Sequence, residues 1–118
     1  VLGAEDNRIN AKVITHLLQE AGHRIFHVEN GNDALEIMRH EQLDGVLMDV
    51  RMPKMDGLTV TRLWREEEDG GDSRLPIIAL TANDSRDDRN ACMAAGMDDF
   101  LIKPVDSEQL SMVLRRYC

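Results

Sequence analysis

Five short apolar runs alternate along the chain with five longer segments in which apolar residues recur at helical spacing. This alternation is typical of βα units, because two parallel strands can pair only after a crossover connection, which is usually a helix. The sequence therefore predicts an α/β fold built on a parallel sheet. The predicted strands are 1–4, 24–28, 45–48, 76–80 and 99–102, and the predicted helices are 8–21, 32–40, 57–67, 85–95 and 107–116.

Two of the predicted strands are apolar on consecutive residues, at 46–48 and 77–80. Central parallel strands have this composition because helices cover both of their faces. We therefore expect a three-layer α/β/α sandwich, and a chain of 118 residues fits one such domain. The first helix carries an apolar stripe that we expect to pack on the sheet: Ile9, Val13, Ile14, Leu17 and Leu18.

Several residues mark the ends of the predicted helices. Gly22 follows the first helix as its expected C-cap, and Asn30 precedes the second helix as its expected N-cap. Asp106 and Gln109 have the spacing of a capping box at the fifth helix. The charge run and paired glycines of 66–73 predict a solvated loop without chemistry.

Composition argues against several classes of function. The formal net charge is −8, and the Lys and Arg residues are scattered, so we expect no nucleic-acid binding by this domain. No apolar stretch approaches the roughly 20 residues that span a bilayer, so we expect no membrane contact by this domain. The two cysteines, Cys92 and Cys118, form no disulfide framework, which favours a reducing, cytoplasmic setting.

Polar residues end four of the apolar runs: Glu5 and Asp6 the first, Asp49 the third, Thr81 the fourth and Lys103 the fifth. The carboxyl ends of parallel strands share one rim, where ligands of open α/β sheets bind. Each residue alone also has an ordinary structural explanation; the two N-terminal acids, for example, would cap the first helix or favour its dipole. Their joint placement predicts a functional site.

Three carboxylates at one rim repel each other unless protons or a cation neutralise them. Oxygen-only ligation suits Mg²⁺, and no His or Cys cluster competes for a softer metal. With Mg²⁺, Asp49 could accept a phosphoryl group while Lys103 neutralises its oxygens and the Thr81 hydroxyl donates a hydrogen bond. The sequence has neither a GxGxxG nor a Walker loop, so the phosphoryl donor must arrive already activated.

Several motifs in the expected order resemble the receiver domain of two-component signalling systems, and the resemblance extends over essentially the whole chain. The matching motifs are Glu5-Asp6-Asn7, Met48-Asp49, Met52-Pro53, Met55-Asp56-Gly57, Leu80-Thr81-Ala82, Ala95-Gly96 and Lys103-Pro104.

This resemblance implies a flavodoxin-like (βα)5 fold with strand order 2-1-3-4-5. It also implies that Asp49 accepts phosphate from a phosphohistidine on a histidine kinase or a histidine phosphotransfer domain. The residues that would hold Mg²⁺ are Glu5, Asp6, Asp49 and, through its backbone carbonyl, Arg51. No other cofactor is expected.

The resemblance further implies a switch, in which the Thr81 hydroxyl moves toward the phosphate and the Phe100 ring turns inward. The surface of helix four, strand five and helix five would report that change. Phe100 replaces the commoner Tyr, so ring packing is kept and a hydroxyl contact is lost. The Lys103–Pro104 bond resembles the cis peptide of the family.

Asn7 and Asn10, together with 80–83, look most like receivers attached to hybrid sensor histidine kinases. The parent would then be a membrane sensor, anchored in the inner membrane, and this domain a cytoplasmic relay station. The chain begins without Met inside a predicted strand, so we expect residues 1–118 to be a single receiver domain excised from a longer multidomain chain. A free-standing response regulator is the alternative origin.

One further residue departs from the family pattern, and two residues occupy positions that tune the phosphate lifetime. Gly3 stands where a bulky aliphatic residue is usual, which predicts a looser first strand. Arg51 and Asn83 occupy positions that tune phosphate lifetime in receivers.

Two other functions fit parts of the sequence. One is a docking module that binds a non-kinase partner, with phosphorylation secondary. The partner would bind on helices one and five or on the surface of helix four, strand five and helix five. The other is a phosphatase acting on external substrates, which would need a second acid where Arg51 stands. As a receiver, the isolated domain is not an enzyme and only phosphorylates and dephosphorylates itself.

Overall fold

The computed structural model describes residues 1–52, 54–68, 74–82, 85–103 and 105–117. The predicted cis peptide before Pro104, the tuning position Asn83 and residues 69–73 of the predicted loop lie outside the described residues. The remaining residues of that loop, 66–68, are helical, so the loop prediction was wrong for them.

Within these residues the chain forms five strands and five helices, and each bound lies within two residues of its predicted position. The strands are β1 (Leu2–Ala4), β2 (Phe26–Val28), β3 (Val46–Asp49), β4 (Ile77–Thr81) and β5 (Asp99–Ile102). The helices are α1 (Arg8–Glu20), α2 (Gly31–His40), α3 (Gly57–Glu68), α4 (Arg86–Ala95) and α5 (Ser107–Tyr117).

All strand pairs are parallel, in the order β2-β1-β3-β4-β5, which confirms the flavodoxin-like topology. The register places Ala4 opposite Met48, Asp49 opposite Leu80 and Thr81 opposite Ile102, so the carboxyl ends of the central strands lie at the same height. Candidate site residues on different strands are thereby brought to one rim.

Helices cover both faces of the sheet, as the consecutive apolar residues of β3 and β4 predict. Side chains of β3 and β4 alternate between two buried clusters, one on each face. One cluster includes Ile14 and Leu18 of α1 with Leu110, Val113 and Leu114 of α5. The other includes Ala34, Leu35 and Met38 of α2, Val60 of α3 and Cys92 of α4. The domain is therefore the expected three-layer sandwich.

Part of the predicted stripe of α1 does not pack on the sheet. Ile14 and Leu18 are buried, but Ile9 is 75% exposed and Val13 is 43% exposed. A helix turns about 100° per residue, so these two residues lie a quarter turn or more from the buried side chains. The sheet covers a narrower stripe than the apolar residues occupy, and the prediction for Ile9 and Val13 was wrong.

The helix ends follow the sequence signals with one shift. Ala21 is the C-cap of α1, and Gly22 is the next residue, at a φ of 85° that suits glycine. The Asn30 side chain accepts a hydrogen bond from the Asp33 amide, as an N-cap should. Asp106 Oδ1 accepts from the Gln109 amide at 2.7 Å, which confirms that half of the capping box.

No helix within the described part of the chain combines the length and the apolar character that crossing a bilayer requires.

Candidate metal and phosphoryl site

Residues from four strand ends line one cleft of about 750 Å³ at the rim of the sheet. The five predicted residues Glu5, Asp6, Asp49, Thr81 and Lys103 all line it. The Lys103 amide donates to the Thr81 carbonyl oxygen at 2.7 Å and extends the β4–β5 pairing to this rim. Further lining residues include Asn7, Asn10, Arg51 and Asp88.

The three acids form a compact oxygen cluster. Each of Glu5, Asp6 and Asp49 offers a carboxylate oxygen that lies within 4.8 Å of the others, the only such group of three among the described residues. Glu5 is 1% exposed and Asp49 is 4% exposed, whereas Asp6 faces solvent. Buried anions this close are costly unless a cation compensates them.

Lys103 supplies part of that compensation. Its Nζ donates to Asp49 Oδ2 at 2.8 Å and lies 2.9 Å from Glu5 Oε2. Burial alone would lower the pKa of Lys103, but its contacts with Asp49 and Glu5 raise it overall. Glu5 Oε2 is nevertheless buried without an aligned hydrogen-bond donor from the described residues, so its contact with Nζ is an ion pair only.

The pKa of Asp49 is raised, first by burial, while the hydrogen bond from Lys103 lowers it and the neighbouring Glu5 raises it further. Lys103 donates a hydrogen bond to Asp49 but leaves Glu5 Oε2 without one, so one ammonium group does not satisfy both buried carboxylates. An all-oxygen donor set with this unmet negative charge fits a divalent cation such as Mg²⁺.

The helix-cap explanation for the N-terminal acids is wrong, because Asn7 is the N-cap of α1. Its side chain accepts hydrogen bonds from the amides of Ile9 and Asn10 at 3.0 and 3.1 Å. The Asn7 amide in turn donates to Glu5 Oε1 at 3.0 Å and fixes that carboxylate. Neither Glu5 nor Asp6 is therefore the N-cap of α1, and both line the cleft.

Arg51 and Thr81 both lie where the sequence placed them. The Arg51 amide donates to Asp49 Oδ1 at 3.2 Å, so the loop after β3 folds back over the carboxylate. Thr81 is 9% exposed at the end of β4 and lines the same cleft. That the Arg51 carbonyl holds a metal stays a prediction.

Two glycines that support the site were not recognised from the sequence as site residues. A Cβ on Gly57 would collide with the backbone carbonyl of Asp49 and lie 2.8 Å from Met48 Cγ. A Cβ on Gly31 would collide with the backbone carbonyl of Met55, in the loop that connects β3 to α3. Gly57 lets the N-terminus of α3 approach the backbone of Asp49, and Gly31 lets the N-terminus of α2 approach the loop at Met55. The sequence signal that could have identified these glycines is their position directly after Asn30 and Asp56, at the starts of α2 and α3.

Phe100 is not part of the cleft. It lines a separate groove of about 680 Å³ beside the edge strand β5, together with residues of α5 such as Met112 and Val113. This groove is lined by residues of β5 and α5, two of the three elements whose surface was predicted to report a switch.

Known proteins with similar sequence identify the family. The response regulator receiver domain matches residues 1–115. The sensor histidine kinase GacS of Pseudomonas protegens is 40% identical over 120 residues, which cover 99% of this chain and 13% of that protein. The chain therefore spans only a small part of this relative.

Solved structures agree. One is the crystal structure of the receiver domain of the sensor histidine kinase PA1611 from Pseudomonas aeruginosa PAO1, which has a magnesium ion coordinated in its active-site cleft. It matches this chain with a TM-score of 0.89 and 41% sequence identity, and the match covers 98% of this chain and 93% of that one. Another is the co-crystal structure of the Saccharomyces cerevisiae histidine phosphotransfer protein Ypd1 and the receiver domain of its response regulator Ssk1. A chain of that structure matches with a TM-score of 0.92 and 27% sequence identity, and the match covers 98% of this chain and 86% of that one. The chain belongs to the response regulator receiver domains of two-component systems.

Proposed function

We propose that this domain is the phosphoacceptor of a phosphorelay, and that Asp49 accepts a phosphoryl group from a phosphohistidine in a Mg²⁺-dependent reaction. The observation that carries the proposal is the pair of buried carboxylates, Glu5 and Asp49, with Lys103 between them at 2.9 and 2.8 Å. A family member with Mg²⁺ in its cleft supports it.

In the proposed transfer, an oxygen of the Asp49 carboxylate forms a bond to phosphorus as the phosphorus–nitrogen bond of the phosphohistidine breaks. The imidazole leaves and takes up a proton, and Asp49 becomes an aspartyl phosphate. Lys103, already hydrogen-bonded to Asp49, neutralises charge on the phosphoryl oxygens, and Thr81 donates a hydrogen bond to one of them. As an isolated domain the protein turns over no external substrate.

The residues that would hold Mg²⁺ are Glu5, Asp6, Asp49 and the backbone carbonyl of Arg51. When bound, the ion offsets the negative charge of the carboxylates and of the transferring group. Two observations support this assignment: three carboxylate oxygens lie within 4.8 Å of one another, and Glu5 Oε2 is buried without a hydrogen-bond donor from the described residues.

Phosphorylation would be read through Thr81 and Phe100. The Thr81 hydroxyl moves toward the phosphate, and the Phe100 ring turns inward from its groove beside β5. The surface of α4, β5 and α5 changes shape as a result, and partners of the phosphorylated domain recognise it.

The exposed residues of α1 offer the phosphodonor a docking surface. Asn10 lines the cleft, and Val13 lies with Lys103 around a small adjoining pocket. Exposed Ile9 and Val13 form an apolar patch there. The complex of Ypd1 with the Ssk1 receiver supports a histidine phosphotransfer domain as one such partner, and a histidine kinase is the other. Three basic residues of the same helix, Arg8, Lys12 and His16, follow each other at four-residue intervals beside the apolar patch of Ile9 and Val13.

The parent protein is, in this proposal, a hybrid sensor histidine kinase from which residues 1–118 form one receiver domain on the cytoplasmic side of the membrane. The match to 13% of the sensor kinase GacS supports a longer parent.

Labelling with the small phosphodonor acetyl phosphate tests whether Asp49 accepts a phosphoryl group in a Mg²⁺-dependent reaction. With Mg²⁺ the wild type should gain one acid-stable, hydroxylamine-sensitive phosphate, and chelation of the metal should abolish labelling. Asp49→Asn should not label. The matched control is Asp56→Asn, because Asp56 is an exposed acid of the same loop whose cap to the Thr59 amide can be made by asparagine. Equal labelling of Asp49→Asn and wild type would refute the proposal and leave protein docking as the function.

A further inference from the structure

A cation covers the ring of Phe100. The guanidinium carbon Cζ of Arg89, on α4, lies 4.3 Å from the ring centroid of Phe100, on β5. Arg89 is exposed and Phe100 is half-buried. A guanidinium at this distance is attracted by the negative face of an aromatic ring, so the contact stabilises the ring where it now lies.

The first turns of α4 lie between the cleft and this ring. Asp88 lines the cleft, and the next residue, Arg89, contacts Phe100. The Asp88 amide donates to the Ser85 side chain at 3.1 Å, which caps the helix at the same place. A displacement of α4 at the cleft therefore also moves the guanidinium relative to the ring.

We propose that Arg89 is a positioning residue that holds the Phe100 ring in its present half-buried position, partly packed against the core cluster that includes Cys92, and thereby sets the equilibrium between the two switch states. The inference rests on the proposed function, because it takes Phe100 to be the ring that turns inward on phosphorylation. An inward ring loses the contact with Arg89, so phosphorylation must offset that loss. Arg89 thus reduces the inward population of the unphosphorylated domain and weakens the response to phosphate.

The chain contains its own control. Arg24 lies over the ring of Phe26, with its Cζ 5.3 Å from the centroid. Phe26 is on β2 and Phe100 on β5, at opposite edges of the sheet. These are the only two phenylalanines, so ¹³C-labelled phenylalanine reports both rings in one NMR spectrum.

The experiment titrates the 118-residue chain with beryllium fluoride in saturating Mg²⁺ and follows the Phe100 ring signals. For Arg89→Gln, we expect the signals of the free domain to shift toward their bound position and the apparent Kd to fall about two- to fivefold, the range expected for an exposed cation–π contact. Arg89→Lys, which keeps a cation, should stay close to wild type. Arg24→Gln should change the Phe26 signals and leave the Kd unchanged.

A double-mutant cycle separates the ring contact from a general effect on α4. In a Phe100→Leu background, Arg89→Gln should no longer change the Kd, because the leucine side chain has no aromatic face.

Two results would overturn the inference: a wild-type Kd and unshifted Phe100 signals in Arg89→Gln, or an equal effect of Arg89→Gln in the Phe100→Leu background. Failure of the proposed function gives a different result, since the wild type itself would then not respond to beryllium fluoride.

Discussion

Lys103 Nζ lies 2.8 Å from Asp49 Oδ2 and joins residues that are 54 positions apart in the sequence. The same ammonium lies 2.9 Å from Glu5 Oε2, so a single lysine holds together two buried anions from different strand ends. The stability of the metal-free domain should therefore depend on this lysine.

Replacement of Lys103 by methionine should destabilise the metal-free domain by roughly 3 kcal/mol, because it leaves two buried carboxylates without their cation. Saturating Mg²⁺ should restore much of that loss, since it binds the folded state alone. Urea denaturation with and without Mg²⁺ measures both effects. Lys12→Met, at an exposed lysine of α1, is the control. Equal losses for the two variants would show that Lys103 does not stabilise the site.

Acid should weaken the contact between α3 and the segment before β4. Glu68 accepts hydrogen bonds from the Leu75 amide at 2.8 Å, Trp64 Nε1 at 2.9 Å and an Arg65 NH group at 2.7 Å. Burial alone would raise the pKa of Glu68, but these contacts hold it below the usual 4.5. Its contribution to stability is therefore complete above pH 4.5 and is lost as the pH falls through the lowered value.

Thermal unfolding of Glu68→Gln across pH 2 to 7 checks that expectation. The variant should be about 1–2 kcal/mol less stable than wild type near pH 7, and the difference should shrink in acid. Glu66→Gln, at the exposed neighbouring position, should stay close to wild type throughout. A difference for Glu68→Gln that does not change with pH would contradict the assignment.

Gly57→Ala should impair the site without touching a charged group. The new Cβ would collide with the Asp49 backbone carbonyl, so either α3 or the end of β3 must move. We expect a loss of about 1–3 kcal/mol in stability, as for an overpacked core, and slower labelling by acetyl phosphate. The labelling rate should fall even under conditions in which circular dichroism shows the variant to be fully folded. An unchanged rate in a folded variant would mean that the close approach does not position Asp49.

Gly3→Ala should have the opposite effect on stability. A Cβ on Gly3 would lie 3.6 Å from Ile25 Cδ1 and 3.9 Å from Ile14 Cγ2, which are ordinary packing distances. Alanine also restricts the unfolded chain more than glycine does, so the variant should gain about 0.5–1 kcal/mol. Urea denaturation of Gly3→Ala beside wild type measures this gain. A loss of stability would show that the glycine of β1 is required rather than merely tolerated.

The sequence predicted the rim residues well, because strand ends are marked by abrupt changes from apolar to polar residues. Once the strands are parallel, Glu5, Asp49, Thr81 and Lys103 must lie at one edge of the sheet. This argument needs no side-chain detail. It therefore survives errors of two residues in the bounds of an element.

Features that depend on contacts through space were less accessible. Helical spacing groups Ile9 and Val13 with the core residues of α1, but only the width of the covering sheet decides which of them is buried. The close approaches of Gly31 and Gly57 involve loop backbone that the periodicity does not describe. The contact of Arg89 with Phe100 joins two elements whose relative placement depends on the packing of the whole sheet.

The assembly of the cleft from four strand ends also determines when its set of charged residues is complete. Lys103 follows β5, the last strand, and the acids that it pairs with come from β1 and β3. A growing polypeptide on the ribosome, or one clipped by a protease before residue 103, lacks the cation that completes the acceptor. The cluster of charges is therefore complete only in molecules in which β5 has joined the sheet.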